Sequence, residues 1–493
     1  MAKVLPNPSH SLKEFRILPG YTPTDGNAPK VELKTRLCRK GDDFVYLNTP
    51  FLSAAMQAVT GVEMAISLAQ LGGIGILPVS QPIDEQCAKV GQVKRFKAGF
   101  QTNIVTLAPQ QSISEVARII RNTGYTTFPV TQSGQFHDKL IGILTDKDFD
   151  ERRDLECTVE ERMKTDVQSG TEVTELRSAN ELMIRYGRGF LPILSKDGIL
   201  QTVVFKKDLD KHLRHPNESI DSQKRLLVGA AISTHPEDRE RVQALVEHDV
   251  DVLVIDASDG HTEYQREMIQ YVKQQCDTPV IGGNIVTSDG FRFLAEAGAD
   301  AVKVGMGIGS GCTTQEVKAT GRGQGTTLME VGATRDQWQK DTGSYIPLVA
   351  DGGISGPAEM SIGLALGANA IMMGNFFARY TESQGSLMRN AAGEIVKEYW
   401  MEGSMRAHNM RRYAQTKENF FEEGISGYVP HVGSIFDKLP TVVQMLRATL
   451  ATAGCSTIDS LHADAVLEMQ SPSALMDSKI HDIVPMNVDQ QIL

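Results

Sequence analysis

The chain has 493 residues, 41% hydrophobic and 23% charged, enough to bury one large core and a smaller second one. A formal net charge of −11 offers no basic field to a phosphate backbone or an anionic membrane, which excludes nucleic acid and membrane as main partners and leaves a small anionic ligand to a local site. Six scattered cysteines without a C-x-x-C pair argue against a disulfide framework or a zinc site; with no apolar leader in MAKVLPNPSHSLKEF and no later bilayer-length apolar stretch, a reducing, cytoplasmic location is expected.

Short apolar runs ending in Gly, Asp or Ser, each followed by a helix-period segment, recur along the chain. They are FLSAAM (51–56), GIGILP (73–78), LLVGAAI (226–232), VLVIDAS (252–258), PVIGGNI (279–285), AVKVG (301–305), PLVADGG (347–353) and AIMMGNF (370–376). Eight βα units predict an α/β fold, a closed (β/α)8 TIM barrel over 1–101 and 214–493, although an open doubly wound sheet shows a similar alternation. About 150 residues separate the second run from the third, far more than a βα connection needs, so a module is inserted at 102–213. Residues 104–149 and 162–210 read as two copies of one unit: an amphipathic helix, a Phe/Leu-Pro-Val/Ile strand, then a strand ending near Lys-Asp. This doubled pattern resembles the tandem CBS (Bateman) module, which implies an adenine or guanine nucleotide as ligand, with Thr145 and Asp148 at its ribose and only Asp208 retained in the second copy. The alternative is a spacer without a ligand. A long polar excursion at about 380–430 is read as a mobile flap.

The sixth run opens into K303-V-G-M-G-I-G-S-G-C312-T-T-Q-E, with glycine at 305, 307, 309 and 311. Such spacing allows left-handed backbone and close approach to a ligand, and forms N–H or carbonyl concavities. At the C-terminal end of a barrel strand this is where active sites gather. Cys312, just before a helix start whose dipoles favour a thiolate, is a nucleophile candidate; the bland alternative is a buried structural cysteine, the reading given to the other five.

Neither G-x-G-x-x-G nor G-x-x-x-x-G-K-[ST] occurs, so a dinucleotide would have to bind through barrel loops. A350-D351-G352-G353-I354 and M373-G374-N375, at the ends of strands seven and eight, occupy the usual phosphate position, with Asp351 placed for a ribose hydroxyl pair.

The loop G-I-G-S-G-C-T-T, the later D-G-G-I, E398-Y-W-M-E-G403 and R411-R412-Y413 together resemble the IMP dehydrogenase family over essentially the whole chain. The resemblance implies that a cysteine attacks C2 of IMP, hydride passes to NAD, and the covalent thioimidate is hydrolysed to XMP, in guanine nucleotide biosynthesis. Carried over by position, Cys312 is the nucleophile, Thr314 helps handle water, and Arg412 with Tyr413 forms a catalytic pair on the flap. A guanidinium is normally protonated, so Tyr413 or Thr314 would share the proton transfer. Asp256, Ser258, Asn284, Gly305 and Gly307 would meet the cofactor; Ser310, Asp351, Gly352, Gly353, Gly374, Asn375 and Tyr399 the IMP phosphate and ribose; Met56, Gly403 and Glu423 the base. The resemblance also implies a homo-oligomer, a tetramer, and a K+ ion on the carbonyls of Gly307, Gly309 and Cys312.

The chain departs from the family pattern in places. Where a neighbouring subunit usually supplies Glu-Gly-Gly to the cation, this chain has M476-D477-S478-K479, so the Lys479 ammonium is a candidate replacement for K+. Asn375 replaces a Ser or Arg, Met401 a glycine, and Gly311 an isoleucine; the last is expected to loosen the cysteine loop. The competing readings are a GMP reductase using NADPH and a nucleotide-sensing homologue without catalysis. R412-Y413 and Gly-Arg-Gly-Gln (321–324) favour the dehydrogenase.

Overall fold

A computed structural model of the chain describes residues 2–23, 26–96, 104–173, 176–206, 215–409 and 422–480. The chain divides into two compact units, one of Met1–Lys94, Asn217–Ser219 and Leu226–Leu493, the other of Arg95–Pro216 and Ile220–Arg225. The junctions expected at 101/102 and 213/214 lie outside the described residues.

In the first unit, all eight apolar runs form strands: β1 Phe51–Ser53, β2 Ile74–Leu77, β3 Val228–Ile232, β4 Val252–Ile255, β5 Val280–Ile285, β6 Ala301–Val304, β7 Leu348–Asp351 and β8 Ala370–Met373. Each pairs in parallel with the next, and β8 pairs with β1, so the sheet closes as a barrel and the open-sheet alternative is excluded. The strands are buried almost throughout because helices cover the outer face and side chains fill the inner one, which is why they read as continuous apolar runs. Thr262 and Thr287 cap the helices Glu263–Gln275 and Ser288–Ala297 by accepting backbone N–H groups, and left-handed Gly298 ends the second.

An antiparallel hairpin, Thr35–Lys40 with Asp43–Leu47, puts Leu37, Val45 and Leu47 into the same apolar cluster as Ile76, Val254 and Ile281 of the barrel interior. The Arg39 N–H donates to the carbonyl of Asp300, just before β6 begins. The hairpin therefore seals the N-terminal mouth of the barrel and leaves the C-terminal mouth for a site. After β8 the polar excursion contains a three-stranded antiparallel sheet of β9 Leu387–Arg389, β10 Ile395–Trp400 and β11 Ser426–Pro430.

The second unit holds two helix-plus-hairpin copies. Ile113–Thr123 precedes the pair Thr127–Thr131 and Leu140–Thr145, around Ile113, Val116, Phe128, Val130 and Leu144. Leu176–Tyr186 precedes Phe190–Leu194 and Leu200–Phe205, around Ala179, Met183, Leu191, Ile193 and Val204. A bridge between Lys139 and Ile199 joins the two hairpins. The Thr145 N–H and hydroxyl donate to Asp148 Oδ2 at 2.8 and 2.7 Å, while Lys164 pairs with its other oxygen, so the two candidate ribose ligands engage each other. Asp208 lies outside the described residues.

At the base of the barrel the His462 Nε2 lies 3.0 Å from the Ala368 carbonyl, so this nitrogen carries the proton of a neutral ring. Burial, with the Arg335 charge acting the same way, pushes the imidazole from 6.5 down to about 4. The unfolded chain takes up this proton first, so the His462 contribution makes folding less favourable as pH falls from 6.5 to about 4 and changes nothing above that window. His462→Gln retains a donor without the titration, and its melting temperature is expected to fall less steeply over the same range than that of the parent; parallel curves would refute the assignment.

Candidate active site

The site begins with a cation inside the barrel. Lys303, on β6, is only 4% exposed at its side chain, and its ammonium lies 3.0 Å from Asp351 Oδ2 at the end of β7. It also donates to Asn284 Oδ1 from β5. The Asn284 amide in turn donates to Asp351 Oδ2 at 3.0 Å and to the Gly305 carbonyl at 2.7 Å. Three successive strand ends are thus tied by one buried charge and its partners. Gly305 lets β6 leave this knot: its φ is +135°, and a Cβ there would lie 2.1 Å from the Asp351 carbonyl oxygen.

The loop then carries Cys312 to the start of the helix Thr314–Lys318. Cys312 Sγ is 3.0 Å from Thr314 Oγ1, and the Thr314 hydroxyl donates to Glu423 Oε2 at 3.1 Å. Because the only hydroxyl proton of Thr314 points to Glu423, the thiol proton is the one directed at Thr314. This makes a continuous path from sulfur through a hydroxyl to a carboxylate. Lys318 holds the other oxygen of Glu423 at 2.5 Å. Glu423 reaches the loop because its segment is tied down: Cys312 and Gly424 form an antiparallel bridge, the Ile425 N–H donates to Gly311 O at 3.1 Å, and the Glu423 N–H donates to Gly403 O at 3.0 Å.

These groups face a cavity of about 520 Å³ at the C-terminal mouth. Met56, Asp256, Ser258, Asn284, Gly305, Gly307, Gly309, Ser310, Cys312, Thr314, Asp351, Gly352, Gly353, Gly374, Asn375, Tyr399, Gly403 and Glu423 all line it. Arg412 and Tyr413 lie outside the described residues. Lys479 follows the short helix Pro472–Asp477 and does not line the cavity of its own chain. The Gly307 carbonyl accepts from Gln315 Nε2 at 2.8 Å and the Gly309 carbonyl from the Cys312 N–H at 3.1 Å, leaving each a second lone pair. Among the described residues no cluster of His, Cys, Asp and Glu could hold a metal ion, and no helix is long and apolar enough to cross a membrane.

On the same cavity, the Tyr399 hydroxyl lies 2.9 Å from where a Cβ on Gly374 would fall. Burial, reinforced by Asp351 and Cys312, pushes the Tyr399 phenol well above its usual range, so it stays a hydrogen-bond donor. Beside it, Glu402 accepts from the Gln57 N–H at 2.6 Å and from the Ser80 hydroxyl, fixing the turn between β10 and Gly403.

Lys303, Lys318 and Glu402 were not singled out in the sequence. Lys303 did carry a signal, as the lone charge in the apolar run AVKVG. Lys318 stands four residues after Thr314 on the same helix, a spacing that shares a face.

Removing only the carboxylate leaves Lys303 as a buried charge with a weaker neutral partner. Asp351→Asn is expected to destabilise the barrel by about 3 kcal/mol, and Lys303→Met/Asp351→Asn by less. Melting temperatures of the two variants test the order; a double variant less stable than the single one would contradict it.

The comparisons agree on one family. The IMP dehydrogenase / GMP reductase domain matches residues 9–481. The chain is 39% identical over 494 residues to the inosine-5′-monophosphate dehydrogenase of Tritrichomonas foetus, covering 98% of each sequence. It is 36% identical to that of Schizosaccharomyces pombe, over 95% of this chain and 91% of the relative. Among solved structures it resembles a GMP reductase variant from Trypanosoma brucei in complex with guanosine 5′-monophosphate, with a TM-score of 0.82, 26% identity, and 97% and 99% of the two chains covered. A closed barrel with a cysteine loop at its C-terminal mouth, matched along nearly its whole length, identifies this chain as an oxidoreductase-type enzyme of the IMP dehydrogenase / GMP reductase family.

Proposed function

We propose that the chain is an IMP dehydrogenase, oxidising IMP to XMP with NAD through a covalent adduct on Cys312. The observation that carries the reading is the directed path from Cys312 through Thr314 to Glu423, opening on a cavity large enough for a purine nucleotide. The thiol proton has a route toward Glu423 as sulfur bonds to C2 of the purine. NAD, when bound, accepts the hydride that leaves C2. Water then adds at C2 and the Cys312 thiolate departs, giving XMP and restoring the enzyme. Asp256, Ser258, Asn284, Gly305 and Gly307 would hold the cofactor, on the wall formed by the ends of β4, β5 and β6. Asp351, Gly352, Gly353, Gly374, Asn375, Ser310 and Tyr399 would hold ribose and phosphate, and Met56, Gly403 and Glu423 would surround the base. On the flap, Arg412 and Tyr413 would activate water.

The same reading assigns the chain to a homotetramer and the second unit to a CBS pair binding an adenine or guanine nucleotide. It also lets Lys479 of a neighbouring subunit cap the carbonyls of Gly307, Gly309 and Cys312 in place of K+. The sister activity, GMP reduction with NADPH, is favoured by the fold likeness to the Trypanosoma enzyme; the dehydrogenase is favoured by the higher identity to the Tritrichomonas enzyme and by Arg412-Tyr413.

Mixing the protein with IMP and NAD⁺ is expected to produce the NADH absorbance band, and Cys312→Ala to abolish it. Thr314→Val, which keeps shape and removes the hydroxyl, is expected to slow turnover by roughly 10²-fold. No NADH, with NADPH consumed in the presence of GMP, would replace the dehydrogenase by the reductase. Equal rates in potassium and sodium buffers are expected if Lys479 serves as the cation; a many-fold rise in potassium would rule that role out.

A further inference from the structure

Met401 stands directly after β10 and is 9% exposed at the edge of the cavity. Two glycines wall it in. A Cβ on Gly424 would fall 2.2 Å from Met401 Cβ and 2.6 Å from its Cγ, and a Cβ on Gly311 would fall 3.2 Å from both Cγ and Cε. Neither glycine has positive φ, so the backbone does not demand glycine at either position. What both supply is room for the methionine. Gly311 immediately precedes Cys312, and Gly424 immediately follows Glu423.

The backbone around this slot is laddered. The Met401 N–H donates to Ile425 O and the Ile425 N–H to Gly311 O, each at 3.1 Å, so the cysteine loop joins the edge of the β10–β11 pair. The space above Gly311, expected from sequence to leave the loop loose, is filled by an unbranched side chain able to follow an irregular gap. Glycine at 311 and methionine at 401 therefore share one volume, with Ile425 Cγ1, 3.3 Å from a Cβ at 311, as its other wall.

We infer that Met401 is a positioning residue: wedged between Gly311 and Gly424, it sets the separation of Cys312 from Glu423 and so the geometry of the proton path through Thr314. The inference rests on the proposed Cys312 chemistry for its catalytic meaning but not for its packing. Shortening Met401 lets the cysteine loop and the glutamate segment shift, and a displacement of about 1 Å at reacting groups can cost 10²-fold in rate. A branched side chain at 311 competes with Met401 for the same space.

The test is a cycle of wild type, Met401→Gly, Gly311→Ile and Gly311→Ile/Met401→Gly. Readouts are kcat and KM for IMP oxidation, the rate of Cys312 alkylation by iodoacetamide followed on its peptide, and melting temperature. Each single variant is expected to lose roughly tenfold or more in kcat with KM for IMP within about threefold, and the double variant to return to within about threefold of wild type, because contacting residues are not additive. Rescue of folding in the double variant, should Gly311→Ile alone not fold, also supports the shared volume. Losses that multiply in the double variant, or a Met401→Gly enzyme with wild-type kcat and alkylation rate, would overturn it. If wild type makes no NADH from IMP the proposed activity fails, while the alkylation rates across the four proteins still decide whether Met401 positions Cys312.

Discussion

A lysine ammonium placed inside a closed barrel is costly unless it is paired, and the arrangement of this active site follows from how that cost is met. Lys303 points inward from β6 and is neutralised by Asp351 from β7, with Asn284 from β5 bonded to both. The three side chains come from three strands, so the pairing fixes the relative height of their ends. Gly305 then has to turn the chain out past the Asp351 carbonyl, and the cysteine loop starts from a point that the charge network has already set. Asp351 meets the cavity with one face and the lysine with the other, so a group placed for a ligand is held by the barrel's own electrostatics before any ligand arrives.

The second constraint is closure at only one end. The hairpin containing Leu37, Val45 and Leu47 fills the N-terminal mouth with apolar side chains, continuous with the barrel interior. Polar groups on the strand ends therefore gather at the other mouth. The later part of the chain returns there twice, through Tyr399–Gly403 and through Glu423–Ile425, and Glu423 N–H bonding to Gly403 O joins these two returns. Groups separated by more than a hundred residues in sequence, Cys312 and Glu423, meet because β10 and β11 carry these segments side by side.

The barrel was legible in the sequence because its strands are buried on both faces and so appear as short, mostly apolar runs, from FLS at β1 to AIMM at β8, interrupted by a charge or an amide only where Asn284, Lys303 and Asp351 serve the site. The cavity wall was legible where it consists of glycine-rich strand ends, as at 305–312 and 351–353, since periodicity stops there and unusual backbone begins. Lys318 and Glu402 were not, because a charged residue on a short helix or turn looks the same in sequence whether it faces solvent or a carboxylate across the site. The sheet of β9, β10 and β11 was also hidden within a polar stretch: β9 is exposed throughout, β10 is exposed only at Ile395 and β11 buries only Val429, so none of the three shows the period-two alternation that marks a strand in sequence. Arg412 and Tyr413 belong to the flap reading and lie outside the described residues.

Gly311 shows most directly why a glycine in a motif cannot be read by itself. Taken alone, it implies conformational freedom next to the nucleophile. Its backbone has no positive φ, and the volume it leaves is occupied from a segment ninety positions away in sequence. The same residue type at 305 does the opposite work, admitting a backbone path that no side chain would permit. A loop with glycine at four alternating positions thus combines a site of backbone necessity with a site of packing complementarity, and only the partner across the gap separates them. For Cys312 the consequence is that its surroundings are set from both sides: by the strand knot at Lys303 before the loop, and by the methionine slot that joins the loop to the segment bearing Glu423.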